Sequence, residues 1–538
     1  MSMRNMTIPS DPSATNIAAA SAGSAASAAG PAASKGTRTI LRRILAVAGL
    51  CLAAGLVLAG LTRLNERKDS VFKYEPFFEE EHDFDVLYFG TSHVLSGYFP
   101  MELWGEYGYT SYNFGGNGNY LPTTYWVFEN ALDYTTPKVV IIDCYFMQMQ
   151  YKTWYSNTEF VHQSMDAFPL SLTKIRGILD LMNDPVMDAD EENGTITVVG
   201  TGNEKRSAIS FLWDLSVYHS RWTELTENDF NTEYTRTKGS ETSAWVAETK
   251  ETIELPADEK LDEETTGMVY LRKIIEECQA QGIEVLLTYL PYPAGEDGWR
   301  TANTVSDIAD EYGVHYVNFL TLDTVDYDTD FQDYESHLNA SGAKKVTSYI
   351  GQYLSENYDL TDHREEEDYA DWREDFETYR VYKQERYEKL EEDDLTDCLV
   401  LLADHMYDAV IDVRGTDVCS DELCRDLLEN IGVDAEELTD DTELILVQAV
   451  RQAQVIHASD HEGDSYEIDT ILGKLSVTQE TDDESDASRS LVFLNDSRMF
   501  IKKQEQIDSG MVRVCVTDTG DSGSVIYRGA YSTTGSAS

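Results

Sequence analysis

Cysteine is scarce in this sequence, and its spacing argues against a fold built on disulfides or metals. Seven cysteines are spread over 538 residues, with no Cys-x-x-Cys pair and no Cys/His cluster at the spacing of metal ligands. We therefore expect no disulfide scaffold, no metal and no other cofactor. Cys419 and Cys424 are the closest pair, but their spacing alone does not establish a disulfide.

Basic residues are also in short supply. The chain holds 41 lysines and arginines against 98 aspartates and glutamates, which gives a formal net charge of −57. Residues 71–538 carry 33 of the basic and 95 of the acidic residues. A surface this negative repels nucleic acid and anionic lipid headgroups, so we expect neither as a partner. The acidity is typical of a self-repelling, soluble surface outside the cell, and a dedicated cation-binding role is the alternative.

Long apolar runs are absent except near the N-terminus. Residues 1–36 are mostly Ala, Ser and Gly and predict a disordered cytoplasmic tail. Residues 44–62 carry no charge and are long enough to cross a bilayer, so we place a transmembrane anchor at 37–64. Basic residues within 35–43 predict that the N-terminus is cytoplasmic. The chain is then a single-pass protein of the cell membrane with extracytoplasmic C-terminal domains, and a cleaved signal peptide is the alternative.

Strand and helix patterns alternate after the anchor. The first strand is a short apolar run ended by a glycine, which is typical of an interior strand of a parallel sheet. Such alternation implies right-handed crossovers and a parallel sheet covered on both faces, and therefore an α/β fold. The predicted strands are 86–90, 111–116, 138–143, 283–290 and 315–320, and the predicted helices are 99–107, 122–134, 264–281, 299–312 and 340–358.

Changes in composition suggest the domain boundaries. We place the α/β domain at residues 70–360, interrupted by a polar, Trp- and Tyr-containing insertion at 146–260 that is predicted to cap the site. Residues 361–392 are charged, with an aromatic stripe at helical spacing, and predict a helical linker that packs on a domain. Residues 393–531 contain short β-rich runs, including one at 398–402, and predict a mostly β accessory domain.

Ser92 is the candidate nucleophile. It follows the first predicted strand, and parallel sheets place their chemistry just beyond the carboxyl ends of their strands. Gly115 and Gly116 follow the second strand and His337 follows the last, so we expect all four residues at one edge. Serine needs a base to take its proton, and histidine suits that task near neutral pH. The pattern predicts a Ser92–His337 site with nearby oxyanion donors.

Three motifs resemble the SGNH/GDSL hydrolase superfamily. Gly-Thr-Ser at 90–92 is similar to its first block, Asn-Phe-Gly-Gly-Asn at 113–117 to its second, and His-Leu-Asn at 337–339, followed by Ser-Gly-Ala at 341–343, to its last. The resemblance covers residues 82–358. It implies a three-layer, flavodoxin-like parallel sheet.

The resemblance also implies roles for individual residues. Ser92 would be acylated, His337 would act as general base and then general acid, and Gly115 would donate its amide to the oxyanion together with the Ser92 amide. The third block of the family supplies an asparagine to the oxyanion hole, whereas Asp143 follows the third strand here. A carboxylate would oppose an oxyanion, so Asn117 is the candidate substitute.

The carboxylate that orients His337 is left open between two residues. The family has an aspartate three positions before the histidine, where this chain has Tyr334. Asp333 and Glu335 flank that position, and we prefer Asp333, which requires the loop to bulge.

Two other histidines lie near candidate site segments. His93 follows Ser92 directly, but adjacent residues at a strand end point to opposite sides, so we do not assign it as the base. His219 belongs to a polar and aromatic cluster at 218–222 within the insertion. That cluster lines the site from the cap or serves only in packing.

Within the superfamily, the chain is similar to membrane-anchored, extracytoplasmic members such as the D-alanyl transfer protein of lipoteichoic acid modification and alginate O-acetylation proteins. Such proteins work with a membrane-bound O-acyltransferase to move acyl groups onto envelope polymers. The resemblance implies an acyl-esterase or acyltransferase that acts on envelope polysaccharide or teichoic acid. One alternative is a non-catalytic envelope protein that binds a glycan or the acyltransferase. A weaker one is a surface adhesion or display protein whose β domain carries the function.

Overall fold

The structure is a computed structural model of a chain that forms two compact units, residues 1–63 and residues 64–538. Cys419 and the predicted tail before Lys35 lie outside the described residues. The residues described are 35–66, 68–153, 159–183, 185–190, 195–201, 210–212, 215–226, 229, 236–241, 243–247, 253–333, 337–388, 395–402, 407–414, 422–430, 443–449, 452–457, 465–481, 488–501, 511–518 and 521–532.

One long helix, α1 (Lys35–Asn65), contains the predicted anchor. Its segment Arg42–Asn65 contains an 18-residue window with a mean hydropathy of 2.6, and no residue of that window is buried. Among the described residues, this is the one helix long and apolar enough to cross a membrane. Lys35 and Gly36, expected in the tail, already belong to this helix.

The predicted α/β fold is confirmed by an all-parallel sheet of five strands. The strands of this part of the chain are β1 (Val86–Phe89), β2 (Ser111–Asn113), β3 (Val139–Asp143), β4 (Pro185–Asp190), β5 (Thr195–Thr201), β6 (Glu284–Tyr289) and β7 (His315–Asn318). The sheet order is β2-β1-β3-β6-β7, and every pairing in it is parallel. β4 and β5 form a separate antiparallel pair. β1 and β3 are buried along their whole length, which explains their uninterrupted apolar sequences.

Three of the predicted helices, α9 (Thr266–Gln281), α10 (Glu296–Tyr312) and α11 (Ala340–Asn357), have capping residues at one or both ends. Thr265 and Asn339 cap α9 and α11 through side-chain hydrogen bonds, and Gly282 and Gly313 end α9 and α10 in the left-handed conformation, with φ of 75° and 66°. The helices are α2 (Lys68–Glu79), α3 (Ser92–Gly97), α4 (Pro100–Tyr107), α5 (Leu121–Ala131), α6 (Glu159–Met165), α7 (Leu172–Leu181), α8 (Leu215–Tyr218), α9 (Thr266–Gln281), α10 (Glu296–Tyr312) and α11 (Ala340–Asn357).

The aromatic stripe after the sheet packs against the same core as the sheet. It lies on α12 (Ala370–Glu388), where Trp372 and Tyr379 are fully buried. The Tyr379 hydroxyl and the Lys383 ammonium both donate to the buried Glu102 carboxylate of α4, each at 2.8 Å. These charge-assisted bonds fix α12 on α4.

The C-terminal region contains two antiparallel sheets, in the orders β10-β9-β8-β15-β16 and β11-β12-β13-β14. The predicted strand at 398–402 is wrong: these residues belong to α13 (Leu395–Leu402). A short apolar run suits a buried helix as well as a buried strand, and leucine, the commonest residue here, favours the helix. The other elements are β8 (Asp408–Arg414), α14 (Glu422–Asn430), β9 (Glu443–Ala449), β10 (Gln452–His457), β11 (Ser465–Thr470), β12 (Gly473–Thr481), β13 (Ser488–Leu494), β14 (Ser497–Arg498), β15 (Met511–Asp518) and β16 (Asp521–Ser532).

Candidate active site

Ser92 lies at a sharp turn from strand to helix. Gly90 and Thr91 separate β1 from α3, and Ser92 is the first residue of that helix. A Cβ atom on residue 90 would lie 2.5 Å from Val94 Cγ2, so the turn requires glycine. Thr91 caps the helix by accepting a hydrogen bond from the His93 amide at 3.1 Å. These contacts hold Ser92, half-buried, at the carboxyl edge of the sheet.

His337 and Asp333 lie in the segment between β7 and α11. Phe331 and Leu338 form an antiparallel bridge, and the Gln332 amide donates to the His337 carbonyl at 2.9 Å. This pairing closes the loop just beyond the two candidate side chains. The His337 amide also donates to Asp333 Oδ1 at 3.2 Å, which fixes the carboxylate beside the imidazole.

The three predicted residues form a continuous hydrogen-bonded chain. His337 Nε2 lies 2.8 Å from Ser92 Oγ, and His337 Nδ1 lies 2.5 Å from Asp333 Oδ2. This geometry lets the Ser92 hydroxyl donate to one ring nitrogen while the other donates to the carboxylate. Asp333 thus occupies the place for which two carboxylates were candidates. Glu335 and Tyr334 lie outside the described residues.

The chain of three is open to solvent on its acidic side. The side chains of His337 and Asp333 are 29% and 40% exposed. An ester or a water molecule can therefore approach the imidazole and the serine without a large rearrangement.

The Gly115 amide is not free to act as the oxyanion donor expected from the motif. It donates to Asn113 Oδ1 at 2.8 Å, and the Gly116 amide donates to the Gly90 carbonyl at 3.2 Å. A Cβ atom on residue 115 would lie 2.3 Å from the Leu95 amide nitrogen. Glycine at 115 is therefore explained by the close approach of this turn to α3.

Two candidate donors make no hydrogen bond with a described residue. The Ser92 amide lies in the first turn of α3 and has no hydrogen-bond partner among the residues that the structure describes. Asn117, half-buried on the turn after β2, likewise makes no hydrogen bond with any described residue. These groups are the candidates to stabilise a negative oxygen.

Asp143 ties together two strand ends. Its Oδ1 accepts from the Leu290 amide at 2.9 Å, and its Oδ2 accepts from the Tyr145 amide at 3.3 Å. Burial raises the pKa of this carboxyl to about 7, although the two amides act in the opposite direction. Both oxygens are therefore engaged by backbone at the ends of β3 and β6, and the residue has a structural role at this edge.

His93 is a neighbour of the site that the sequence argument set aside. Its buried ring stacks on Tyr145, with 3.8 Å between centroids, and lies 5.5 Å from the His337 ring and 5.4 Å from the Tyr292 ring. Burial lowers its pKa well below the usual value, so the ring is neutral. His337 and not His93 bonds Ser92, as expected. The reason was wrong, however, because Ser92 and His93 begin a helix and do not alternate as strand residues do.

Asn113, at the end of β2, was quoted in the second motif without a role of its own. Its Nδ2 donates to the carbonyls of Val94 and Tyr98, at 2.7 and 2.8 Å, while its Oδ1 accepts from Gly115. One buried side chain therefore holds both α3 and the following turn. Its position at the end of a predicted strand was the one sign in the sequence that Asn113 has a role near the site. Its hydrogen-bond partners, however, can be identified only from the structure.

The insertion contacts the elements that carry the site. The Glu241 amide donates to the Leu95 carbonyl at 2.9 Å, and Asn339 Nδ2 donates to the Trp245 carbonyl at 3.1 Å. His219 is exposed, and no described hydrogen bond or ring contact joins it to Ser92 or His337. A cap over the site stays a prediction, and the structure gives His219 no described place in the hydrogen-bonded chain.

Metal ligands do not cluster in the described part of the chain. No group of three His, Cys, Asp or Glu residues there could hold a metal ion.

Comparisons with known proteins give no relative. No family model matches the chain, and neither the curated proteins nor the solved structures give a significant match. The function must therefore be argued from the geometry of the site.

Proposed function

We propose that this chain is an SGNH-like acyl-esterase or O-acyltransferase with Ser92 as its nucleophile. The observation that carries the proposal is the hydrogen-bonded chain from Ser92 through His337 to Asp333. A hydroxyl, an imidazole and a carboxylate in this order form the arrangement that activates serine in acyl transfer.

The sheet topology supports the flavodoxin-like, three-layer form of the fold. In the order β2-β1-β3-β6-β7, the strands read 2-1-3-4-5, one of the two common doubly wound orders. The helices α3 and α4 contact α11, and α5 contacts α9. Right-handed crossovers from these strands distribute the helices into the same two groups, one for each face of the sheet.

The proposed reaction has two halves. Ser92 Oγ attacks the ester carbonyl while His337 Nε2 takes the hydroxyl proton, and Asp333 stabilises the imidazolium that forms. The C–O bond to the leaving alcohol breaks, and that alcohol takes the proton from His337. A second hydroxyl, from water or an acceptor, then loses its proton to His337 and attacks the acyl-serine. The acyl group leaves Ser92, which regains its proton.

The developing oxyanion is assigned to the Ser92 amide and Asn117. Neither group has a hydrogen-bond partner among the described residues, so binding the oxyanion would cost no existing bond. Donors of this kind are worth about 10²–10³-fold in rate.

Exposure of the site bears on the choice between hydrolysis and transfer. With His337 and Asp333 29% and 40% exposed, water reaches the acyl-serine when no acceptor is bound. The isolated protein would therefore hydrolyse esters, and transfer would need an acceptor or partner that covers this opening.

The location proposed is the outer face of the cell membrane. α1 would anchor the chain as a single span, with the basic residues before it on the cytoplasmic side. A membrane-bound O-acyltransferase would be the partner that supplies the acyl group, and the acceptor would be an envelope polymer, either polysaccharide or teichoic acid.

A non-catalytic binding protein is the second candidate. Two observations favour it: the Gly115 amide is already bonded, and Asp143 stands where the resemblance expects an asparagine donor. An incomplete oxyanion hole would leave a site able to bind an acylated polymer without turning it over.

Hydrolysis of p-nitrophenyl acetate by the detergent-solubilised full chain tests the enzymatic proposal. We expect Ser92→Ala and His337→Ala each to lower kcat/KM by about 10³-fold or more, because each removes a member of a unit that acts together. His315→Ala, which changes an exposed histidine bonded to Tyr353, is the matched control and should retain activity. A folded wild-type protein without turnover would favour the binding role.

A further inference from the structure

A cavity of about 510 Å³ is lined by residues other than Ser92, His337 and Asp333. Most of its lining comes from the segments that follow β6 and β7, at the same carboxyl edge of the sheet as Ser92, and Ile253 and Glu254 of the insertion complete it. The volume falls within the roughly 300–1,000 Å³ typical of small-ligand sites. One of its lining residues, Tyr292, links it to the site, because the Tyr292 ring also contacts the ring of His93.

The lining combines aromatic rings with hydrogen-bonding groups. Tyr292, Trp299 and Tyr327 contribute rings, and Glu254 and Asp323 contribute carboxylates. Both carboxylates are exposed, and neither makes an ion pair or hydrogen bond with a described residue. The Trp299 indole N–H is likewise without a hydrogen-bond partner in the described part of the chain. A ligand with an apolar face and a hydroxyl edge would match both features, and a pyranose ring has this shape.

The charge of the cavity restricts the ligand further. Its described lining contains two carboxylates and no Lys, Arg or His. Among the described residues, the cations nearest to this lining along the chain are already paired, Lys260 with Asp307 at 2.6 Å and Arg300 with Glu296 at 3.0 Å. The net charge of −57 adds a long-range repulsion of anions. A phosphate- or uronate-bearing polymer would meet uncompensated negative charge here.

We propose that this cavity is a subsite for uncharged sugar units of the acceptor, so that the acceptor is a neutral polysaccharide and not a teichoic acid or other polyanion. The proposal deepens the acyl-transfer function and rests on it, because the bound sugar is an acyl acceptor only if the protein transfers acyl groups. Aromatic faces would cover the apolar side of each ring, while Glu254, Asp323 and the Trp299 N–H would bond its hydroxyls. Of the two acceptor classes considered above, polysaccharide and teichoic acid, the proposal retains only the polysaccharide.

Isothermal titration calorimetry on the full chain, with hexasaccharides that differ in charge, tests this subsite. The neutral probes are cellohexaose, mannohexaose, xylohexaose and chitohexaose; glucosamine and mannuronate hexamers are the cationic and anionic probes. We expect at least one neutral hexamer to bind, with the mannuronate hexamer at least tenfold weaker. Tighter binding of the mannuronate or glucosamine hexamer, or no binding of any neutral hexamer, would overturn the proposal.

A double variant of the cavity lining and a control variant outside it test whether the sugar binds in the cavity. Glu254→Gln combined with Asp323→Asn should weaken the neutral hexamer by about tenfold, because charge-assisted bonds to hydroxyls become neutral ones. The same change should reduce the difference in affinity between the neutral and the mannuronate hexamers, because the two carboxylates that repel mannuronate are removed. Asp359→Asn alters an exposed carboxylate outside the cavity lining and is the control. Equal affinities in control and double variant would place the sugar elsewhere and overturn the assignment.

The binding readout separates this proposal from the enzymatic one. If a neutral hexamer binds in the cavity while p-nitrophenyl acetate is not turned over, the enzymatic function fails and the sugar site stands. If the ester is turned over while every neutral hexamer fails to bind, the subsite fails alone.

Discussion

The reactivity proposed for Ser92 depends on two side chains that come from a distant part of the sequence. His337 lies 245 residues away, yet its Nε2 is 2.8 Å from Ser92 Oγ, and its other ring nitrogen, Nδ1, is 2.5 Å from Asp333 Oδ2. The segment between β7 and α11 places both groups. The sequence could not decide which carboxylate bonds His337, because the motif places the aspartate at position 334, which is a tyrosine here. Asp333 lies one position before it.

Exchange of the two candidate carboxylates for amides tests that assignment. We expect Asp333→Asn to lower kcat/KM for p-nitrophenyl acetate by about 10²–10⁴-fold, because an amide no longer fixes the imidazole tautomer or stabilises its charge. Glu335→Gln is the matched variant and should stay within about threefold of wild type. The reverse ranking would assign the role to Glu335.

The buried Asp143 carboxyl should make stability depend on pH. Its pKa in the folded protein is raised from 3.8 to about 7, so the unfolded chain releases this proton first as the pH rises. Stability due to this group is therefore fully present below about pH 4 and is lost by pH 7, by an amount on the order of a few kcal/mol.

Urea unfolding of wild type and Asp143→Asn at pH 4.5, 6 and 7.5 measures this effect. The wild-type free energy of unfolding should fall relative to that of the variant as the pH rises, because the variant does not titrate at this position. Parallel pH profiles would show that the carboxyl has an ordinary pKa in the folded protein.

Among the elements, α3 decides where the nucleophile points, and it is one that the sequence did not predict. Its six residues are too few to show helical periodicity, whereas β1, β3, α9 and α11 carry long apolar patterns or clear caps and were predicted within a few residues.

The strands β11 and β12 were missed for a related reason: they are partly exposed and rich in polar residues. The role of Gly115 was also beyond sequence reasoning, because the partner of its amide is a side chain fixed by the fold.

Two glycine substitutions test the packing of α3. Gly115→Ala should destabilise the protein by about 1–3 kcal/mol and reduce esterase activity, because the new Cβ would lie 2.3 Å from the Leu95 nitrogen and would displace the helix. Gly295→Ala is the matched control, since a Cβ there meets nothing within 4 Å and its φ is −81°. Thermal unfolding and ester turnover should both separate the two variants. An unchanged Gly115→Ala protein would contradict the close packing described here.

On the scale of the whole molecule, charge is distributed to match the proposed location. The apolar segment Arg42–Asn65 follows a basic stretch, whereas residues 71–538 carry 95 acidic against 33 basic residues. A strongly acidic surface stays soluble and is repelled by anionic lipid, which suits domains held close to a membrane. The sequence predicted this division because net charge and an apolar run need no tertiary information.

Protease treatment of intact cells tests the orientation. We expect an external protease to remove the acidic region after α1 and to leave the N-terminal segment protected, because the basic residues before α1 favour the cytoplasmic side. An antibody tag at each terminus reports the two sides. Protection of the C-terminal tag in cells that remain sealed would contradict the proposed topology.

Covalent labelling of the full chain with a fluorophosphonate, followed by mass spectrometry of its peptides, tests the central claim most directly. Only a serine whose hydroxyl is activated by a neighbouring base reacts readily with this probe. We expect a single major adduct on Ser92 that is lost in His337→Ala and retained in His315→Ala, with both variants folded. An unlabelled Ser92 in folded wild-type protein, or labelling that persists in His337→Ala, would contradict it.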